Sequence, residues 1–99
     1  MNASASRQRR ALVTGGSGGL GAAICRALAA QGLHVIVHAH TQLGRAETLA
    51  AELRAQGGSA ETVGFDLMDD AAVQAALDAL LAVGAIDVLV NNAGLHRDA

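Results

Sequence analysis

The sequence contains no proline, tryptophan, tyrosine or lysine, and Phe65 and Cys25 are its only phenylalanine and cysteine. A single cysteine excludes an intrachain disulfide, so we expect a reducing, cytoplasmic setting. The sequence has no apolar run of about eighteen residues, so it predicts neither a membrane span nor a membrane partner. Residues 1–10 also lack the apolar stretch of a signal peptide.

An excess of basic charge is also missing, since the formal net charge is −2. Proteins that bind nucleic acid need a basic face, so this balance argues against a nucleic-acid partner. One short basic run, Arg7, Arg9 and Arg10, stands near the amino terminus, and we interpret it as solvated rather than as a backbone-binding arm. We expect residues 1–9 to form a flexible tail and residues 10–99 to belong to one domain.

The apolar residues are mostly alanine, leucine and valine, a composition that suits buried parallel strands alternating with helices. Short apolar runs predict strands at residues 11–13, 35–37, 62–65 and 86–90. Apolar residues at helical spacing predict three helices between them, with these stripes: Leu20, Ile24 and Leu28; Ala46, Leu49, Ala50 and Leu53; and Val73, Ala76, Leu77, Leu80 and Leu81.

Glycines and aspartates mark the ends of these helices. Gly32, the pair at 57–58 and Gly84 stand where the three helices should end, and Asp69 or Asp70 can cap the start of the third. The order is therefore β-α-β-α-β-α-β, which predicts an α/β fold with right-handed crossovers. Four parallel strands are the first part of a doubly wound sheet, and one apolar sheet edge would be left unpaired.

A glycine-rich loop lies between the first strand and the first helix, where residues 14–21 read T-G-G-S-G-G-L-G. Glycines in such a loop let backbone N–H groups approach a pyrophosphate, and the helix dipole favours the anion. A flexible turn is the alternative interpretation, which the flanking strand and helix disfavour. Three glycine registers fit: Gly16, Gly18 and Gly21; Gly15, Gly18 and Gly21; or Gly15, Gly19 and Gly21.

The end of the second strand bears on the choice of dinucleotide. An acidic residue about twenty positions after the loop binds the ribose 2′-hydroxyl of NAD and repels a 2′-phosphate. Residues 37–41 contain no acid, and Glu47 is the nearest one downstream. His40 and Arg45 can instead face a phosphate, so the sequence favours NADP(H) over NAD(H).

The remaining histidines and the cysteine have simpler interpretations. Strand alternation places His34, His38 and His40 on one face, but their spacing matches no recognised metal site, and we expect no metal. Ordinary polarity at the end of a strand is the alternative interpretation of both His38 and His40. Cys25 lies within the first helical pattern, and we interpret it as buried filler rather than as a nucleophile.

Two further motifs make a resemblance specific. Asp66 follows the third predicted strand, and N-N-A-G follows the fourth at residues 91–94. With the glycine loop, these motifs make the chain resemble the short-chain dehydrogenase/reductase family from Arg10 onward. The resemblance implies a Rossmann-type sheet and the register T-G-x-x-x-G-x-G.

The resemblance also implies which residues meet the cofactor. The loop would hold the phosphates, Asp66 and Leu67 would flank the adenine, and Asn92 to Gly94 would lie near the adenosine ribose. Asn91 would equally serve to fasten the sheet. Many NADP-preferring relatives have Arg at the position of Gly18, so its absence places more weight on His40 and Arg45. The full predicted set is Gly15, Gly16, Ser17, Gly18, Gly19, Leu20, Gly21, His40, Arg45, Asp66, Leu67, Asn92, Ala93 and Gly94.

A finer resemblance concerns the substrate. Residues 94–98 read G-L-H-R-D and are similar to the G-I-T-R-D of 3-oxoacyl-[acyl-carrier-protein] reductases. This implies a homo-tetramer that reduces a carrier-linked 3-oxoacyl thioester with NADPH in fatty acid biosynthesis. A relative acting on another ketone, sugar or steroid, and a non-catalytic nucleotide-binding module, remain alternatives.

The family's catalytic groups are not in this sequence. Its Ser, its Tyr-x-x-x-Lys pair and a further Asn lie downstream of N-N-A-G, whereas this sequence has neither tyrosine nor lysine. Nothing here can replace that pair as a proton donor. We therefore assign no catalytic residue and expect the chain to be an amino-terminal portion of the enzyme, which stops before the catalytic half.

Overall fold

A computed structural model describes residues 7–93, and within them strands and helices alternate strictly. All strand pairings are parallel, and the sheet order is β3-β2-β1-β4. This topology confirms the predicted α/β fold, a Rossmann-type parallel sheet. The elements are β1 Arg10–Thr14, α1 Gly19–Ala30, β2 His34–Ala39, α2 Leu43–Ala55, β3 Ser59–Gly64, α3 Asp70–Val83 and β4 Val88–Asn91.

The sheet is covered by helices on both faces. Val13, Val35 and Val37 belong to one apolar cluster, which includes residues of α1 and α2. Leu12 and Ile36 point to the opposite face and pack with Leu80 of α3. Strand alternation thus divides the core between two helical layers, and the carboxyl ends of the strands remain available for a site.

The predicted strand boundaries need two corrections. The apolar run predicts the third strand at residues 62–65, but β3 begins at Ser59 and ends at Gly64. Its polar first half is held in the ladder by β2, since Ser59 pairs with His34 and Glu61 with Ile36. The fourth strand begins at Val88, so residues 86 and 87 precede it.

The helix predictions are correct for α2 and partly wrong for its neighbours. The stripe predicted for α2 comprises its four buried residues. In α1 the fully buried positions are Gly21, Ala22 and Cys25. Ile24 and Leu28 of the predicted stripe are partly buried against the core, whereas Leu20 is 62% exposed, so the stripe is wrong at Leu20. Small residues occupy the inner face because α1 lies close to the glycine loop. In α3, Leu80 is buried but Leu81 is exposed.

The helix ends agree with the predictions. Gly32 and Gly57 both have φ of +91° immediately beyond the carboxyl ends of α1 and α2, a conformation that glycine adopts without strain. Asp69 caps α3 by accepting a hydrogen bond from the backbone N–H of Ala72 at 3.1 Å. Gly84 follows the last residue of α3.

Arg10 contradicts the interpretation of the amino-terminal basic run as solvated. It is buried at the start of β1, and its guanidinium donates to the backbone carbonyls of Leu80 and Gly84. Those carbonyls lie at the end of α3, where a cation is favoured by the helix dipole. Arg7 and Arg9 are exposed, although Arg7 pairs with Asp87. The proposed flexibility of residues 1–9 stays a prediction.

The outer edge of the sheet behaves as predicted. Within residues 7–93, β4 pairs with β1 alone, and Leu89 on β4 is 65% exposed.

None of the helices in this range combines the length and apolar character needed to cross a bilayer.

Candidate functional site

A cavity of about 690 Å³ opens at the carboxyl ends of β1 and β2. In open parallel sheets ligands bind at this end, where the strand order reverses, and β1 lies here between β2 and β4. The predicted residues that line the cavity are Gly15, Ser17, Gly18, Gly19, Leu20, His40, Arg45, Asp66, Leu67, Asn92 and Ala93. Four residues that sequence reasoning did not select also line it: His38, Ala39, Thr41 and Gln42.

The remaining predicted residues lie elsewhere. Gly16 and Gly21 do not line the cavity. A Cβ on Gly16 would meet β1, α1 and β2, and a Cβ on Gly21 would meet Gly15, Gly16 and Asn92. Gly94 and the G-L-H-R-D segment lie outside the described residues. The structure therefore brings the described site residues to one place, with Gly16 and Gly21 on the inner side of the loop, away from the cavity.

The loop requires glycine at three positions, and they match one of the three registers. Gly15 and Gly19 have φ of +61° and +55°, in the left-handed region. A Cβ on Gly21 would overlap the carbonyl oxygen of Gly15 and come within 2.8 Å of Asn92 Nδ2. At Gly18, by contrast, a Cβ would make only ordinary contacts. The backbone therefore favours Gly15, Gly19 and Gly21, the register of the family motif.

The two asparagines at the end of β4 fasten the loop to the sheet. Asn92 is buried, and its Nδ2 donates to the carbonyl of Gly15 at 3.0 Å. Thr14 Oγ1 donates to Asn91 Oδ1 at 3.1 Å and accepts from the N–H of Ala93 at 3.3 Å. This network gives Asn91 the sheet-fastening role that the resemblance implied, and it joins the ends of β1 and β4.

His38 is the most important residue that sequence reasoning missed. Its ring is buried at the end of β2, where Nδ1 accepts from the backbone N–H of Gly15 at 3.0 Å. Nε2 lies 2.8 Å from the carbonyl of Phe65, and the two rings are 4.4 Å apart. Burial lowers the pKa of His38. Strand alternation placed His38 on one face with His34 and His40 but did not show that it is buried, because its partners come from distant parts of the chain.

A cation and two rim side chains surround the outer part of the cavity. The Arg45 guanidinium lies beside the loop, since a Cβ on Gly18 would be 3.5 Å from its Nη1. His40 Nε2 is 3.8 Å from Asp66 Oδ2, so these two predicted residues face each other. Glu47 is turned away and accepts a hydrogen bond from Thr62 on β3 at 2.7 Å. Glu47, the nearest acid after β2, therefore places no negative charge on this rim of the cavity.

Two helix amino termini open on the same cavity without a capping side chain. Gly18 precedes α1 and Gln42 precedes α2, and neither side chain caps its helix. Neither helix has an acid in its first turn, in contrast to α3, which has Asp69 and Asp70. Free N–H donors and the positive ends of two dipoles thus face one space, which makes it suitable for anions.

Cys25 takes no part in the cavity wall. It is fully buried behind the loop, and its Sγ lies 3.7 Å from the carbonyl oxygen of Gly16. Burial raises the pKa of the thiol to about 11. The interpretation of Cys25 as buried filler is confirmed by this environment, because a nucleophilic cysteine needs a lowered pKa and access.

Comparison with known proteins agrees with this geometry. The sequence profile described as short chain dehydrogenase matches residues 9–99. The chain belongs to this family. A metagenomic short-chain oxidoreductase solved in complex with NADP has 40% identity and a TM-score of 0.83 over 88% of this chain and 39% of its own.

Two further relatives are similar over nearly the whole length of this chain. A solved 3-oxoacyl (acyl-carrier-protein) reductase from Agrobacterium tumefaciens C58, with NADP bound, is 38% identical to it. Its TM-score is 0.81, over 94% of this chain and 36% of that one. The acetoacetyl-CoA reductase of Acinetobacter sp. (strain RA3849) is 42% identical over 99 residues, covering 95% of this chain and 39% of its own. The chain thus spans less than two fifths of these relatives' lengths.

Proposed function

We propose that the complete protein is an NADPH-dependent oxidoreductase that reduces a carbonyl to an alcohol. In this proposal the described segment binds the adenosine and pyrophosphate end of the cofactor. The bound cofactor supplies the hydride, while the chain holds and orients it. A cytoplasmic homo-tetramer is part of the same proposal, since it comes with the family resemblance.

The observation that carries this proposal is the pair of uncapped helix amino termini at one cavity. The start of α1 follows a loop whose glycines leave room for a pyrophosphate. The start of α2, beyond Gln42, offers a second set of unpaired N–H donors on the same cavity. NADPH carries a phosphate on its adenosine ribose in addition to the pyrophosphate, so two anion sites suit it better than NADH.

The charges around the second anion site point the same way. Ala39 stands on the cavity wall where an NAD-binding relative would present a carboxylate. Arg45, in the first turn of α2, brings its guanidinium toward Gly18, the position that carries Arg in many NADP-preferring relatives. We therefore propose that Arg45 supplies the positive charge that Arg at the position of Gly18 supplies in those relatives, with His40 on the same cavity wall. Two of the similar solved structures have NADP bound, which supports this choice.

Arg45→Ala tests the cofactor assignment in the complete protein. We expect NADPH affinity to fall about tenfold or more, since hydrogen bonds to charged groups are worth about 1.5–3 kcal/mol. NADH affinity should stay within about twofold, because NADH has no 2′-phosphate. Fluorescence titration of both cofactors measures this. Arg54→Ala on the same helix is the control, and equal losses for both cofactors would contradict the proposal.

For the substrate, we propose a 3-oxoacyl thioester. Support comes from the similarity to the acetoacetyl-CoA reductase and the 3-oxoacyl-carrier reductase, and from the G-L-H-R-D segment. The test is to mix the complete protein with NADPH and an acetoacetyl thioester and to measure NADPH oxidation as a loss of absorbance. Turnover of an unrelated ketone with no thioester turnover would overturn the substrate and leave the cofactor assignment standing.

A further inference from the structure

The protonation state of His38 is determined by its surroundings in the described structure. A backbone N–H can only donate, so the 3.0 Å contact with Gly15 makes Nδ1 an acceptor. A carbonyl can only accept, so the 2.8 Å contact with Phe65 makes Nε2 the donor. The ring is therefore the neutral tautomer with its hydrogen on Nε2. Only 2% of His38 is exposed, so both contacts lie in a nearly buried site.

His38 also contacts the phosphate loop through its backbone. Its carbonyl accepts from the N–H of Gly16 at 2.9 Å, next to the side-chain bond from Gly15. The carbonyl of Gly15 is held in turn by Asn92. One residue of β2 thus binds two successive amides of the loop, where Gly15 takes its left-handed conformation.

We infer that His38 is a positioning residue that holds the phosphate loop in its cofactor-binding shape, and that it does so only while its ring is neutral. The effect on cofactor binding rests on the proposed function. Protonation would place an N–H at Nδ1 against the N–H of Gly15. Either the ring leaves its site or a buried amide loses its partner, and in both cases the loop is released.

The titratable groups around His38 do not offset this repulsion. Burial lowers the pKa of His38, the hydrogen bond to Phe65 opposes that shift, and His40, just beyond the end of β2, adds to the lowering. Asp66, after β3, lies toward His40, and Cys25 on α1 is a neutral thiol at ordinary pH. Both ring nitrogens face backbone groups, so no carboxylate stabilises a charged ring. Burial is the main cause of the lowered pKa, so protonation requires a pH below the ordinary value of 6.5.

Two substitutions distinguish the role of the Nδ1 hydrogen-bond acceptor from the role of the ring's packing. In His38→Asn, the side-chain oxygen stands near the place of Nδ1 and accepts from Gly15 without titrating. In His38→Phe, the ring still packs on Phe65 but the acceptor is lost. The matched control is His34→Asn, four residues earlier on the same strand, whose ring bonds to Ser59 and Glu61 at the other end of the sheet.

The first experiment measures NADPH affinity of the complete protein from pH 5 to pH 8. We expect His38→Phe to bind at least about tenfold more weakly at pH 8, the loss typical of one unsatisfied buried amide. His38→Asn should bind within a few-fold of the wild type at pH 8 but lose less affinity toward pH 5. Unchanged affinity in folded His38→Phe, or a profile for His38→Asn equal to the wild type, would overturn the inference.

The second experiment needs no cofactor. Two-dimensional ¹⁵N NMR of the histidine ring should show hydrogen on Nε2 and a bare Nδ1 at pH 8, with the Gly15 amide protected from exchange. Hydrogen on Nδ1 would overturn the inference even if NADPH binds. Failure of the wild type to bind NADPH, with this tautomer present, would instead overturn the proposed function.

Discussion

At the residue scale, the space around each glycine decides whether that position can accept a side chain. At Gly21 there is no room for a Cβ, because the carbonyl of Gly15 and the amide of Asn92 occupy that space. At Gly44, in the first turn of α2, an added Cβ would have no neighbouring atom within 4 Å. One glycine thus excludes a side chain and the other accepts one, and contacts with distant segments cause the difference.

Gly21→Ala is expected to lower the free energy of unfolding by about 1–3 kcal/mol, the usual cost of overpacking. It should also weaken cofactor binding, because the added methyl group pushes α1 away from the loop. Gly44→Ala is the control and should gain about 0.5–1 kcal/mol from helix propensity. Urea unfolding of the two variants measures both values, and equal effects would contradict the packing argument.

Ala39→Asp is expected to shift cofactor preference toward NADH. The new carboxylate would stand on the cavity wall, where it binds a ribose 2′-hydroxyl and repels a 2′-phosphate. Ala39 is only 3% exposed, so a loss of stability should accompany the change. The ratio of NADPH to NADH dissociation constants measures the shift, and an unchanged ratio would show that another position selects the cofactor.

At the scale of elements, the helices in the described residues differ in the side chains with which they pack against the sheet. The buried residues of α2 are two alanines and two leucines at helical spacing, and all four face the core, so periodicity is enough to predict this stripe. The inner face of α1 is built from Gly21, Ala22 and Cys25, which allow close approach but carry little hydrophobic signal. Periodicity alone therefore finds Ile24 and Leu28, which pack at the border of the core, but it misses the small buried residues and wrongly includes Leu20.

The end of α3 depends on a residue from another element. Arg10→Met removes the cation that bonds to the carbonyls of Leu80 and Gly84, and we expect a loss of about 2–4 kcal/mol in unfolding free energy. Arg9→Met is the adjacent control, and because Arg9 is exposed it should change stability by less than about 0.5 kcal/mol. Chemical denaturation distinguishes the two, and similar small effects would show that Arg10 is not a structural cation.

At the scale of the whole molecule, contacts between distant segments unite the described residues. Asp87, just before β4, accepts from the backbone N–H of Arg10 at 2.8 Å and pairs with Arg7 at 2.6 Å. The hydrogen bond from Arg7 is the main cause that lowers the pKa of Asp87 below its ordinary 3.8. The beginning of β1 and the beginning of β4 are thereby held at the same end of the sheet.

Asp87→Asn is expected to destabilise the protein at neutral pH and to have progressively less effect in acid. A carboxyl group with a lowered pKa contributes its stabilisation above its unfolded pKa and loses it as the pH falls through the folded value. The difference from the wild type should therefore be constant from pH 5 to pH 8 and shrink below about pH 4. Thermal melts across this range measure it, and a difference that persists at pH 2 would contradict a charge-based role.

The sequence by itself determined the alternation of strands and helices, the glycine loop, the N-N-A-G motif and the absence of an acid after β2. Periodicity and turn chemistry act over a few residues, so each of these features is readable without coordinates. Only the tertiary structure decided that His38 supports the loop, that Arg10 caps α3 and that Arg45 lies beside Gly18. These contacts join residues far apart in the chain, and their energies come from burial and geometry that exist only once the sheet has formed.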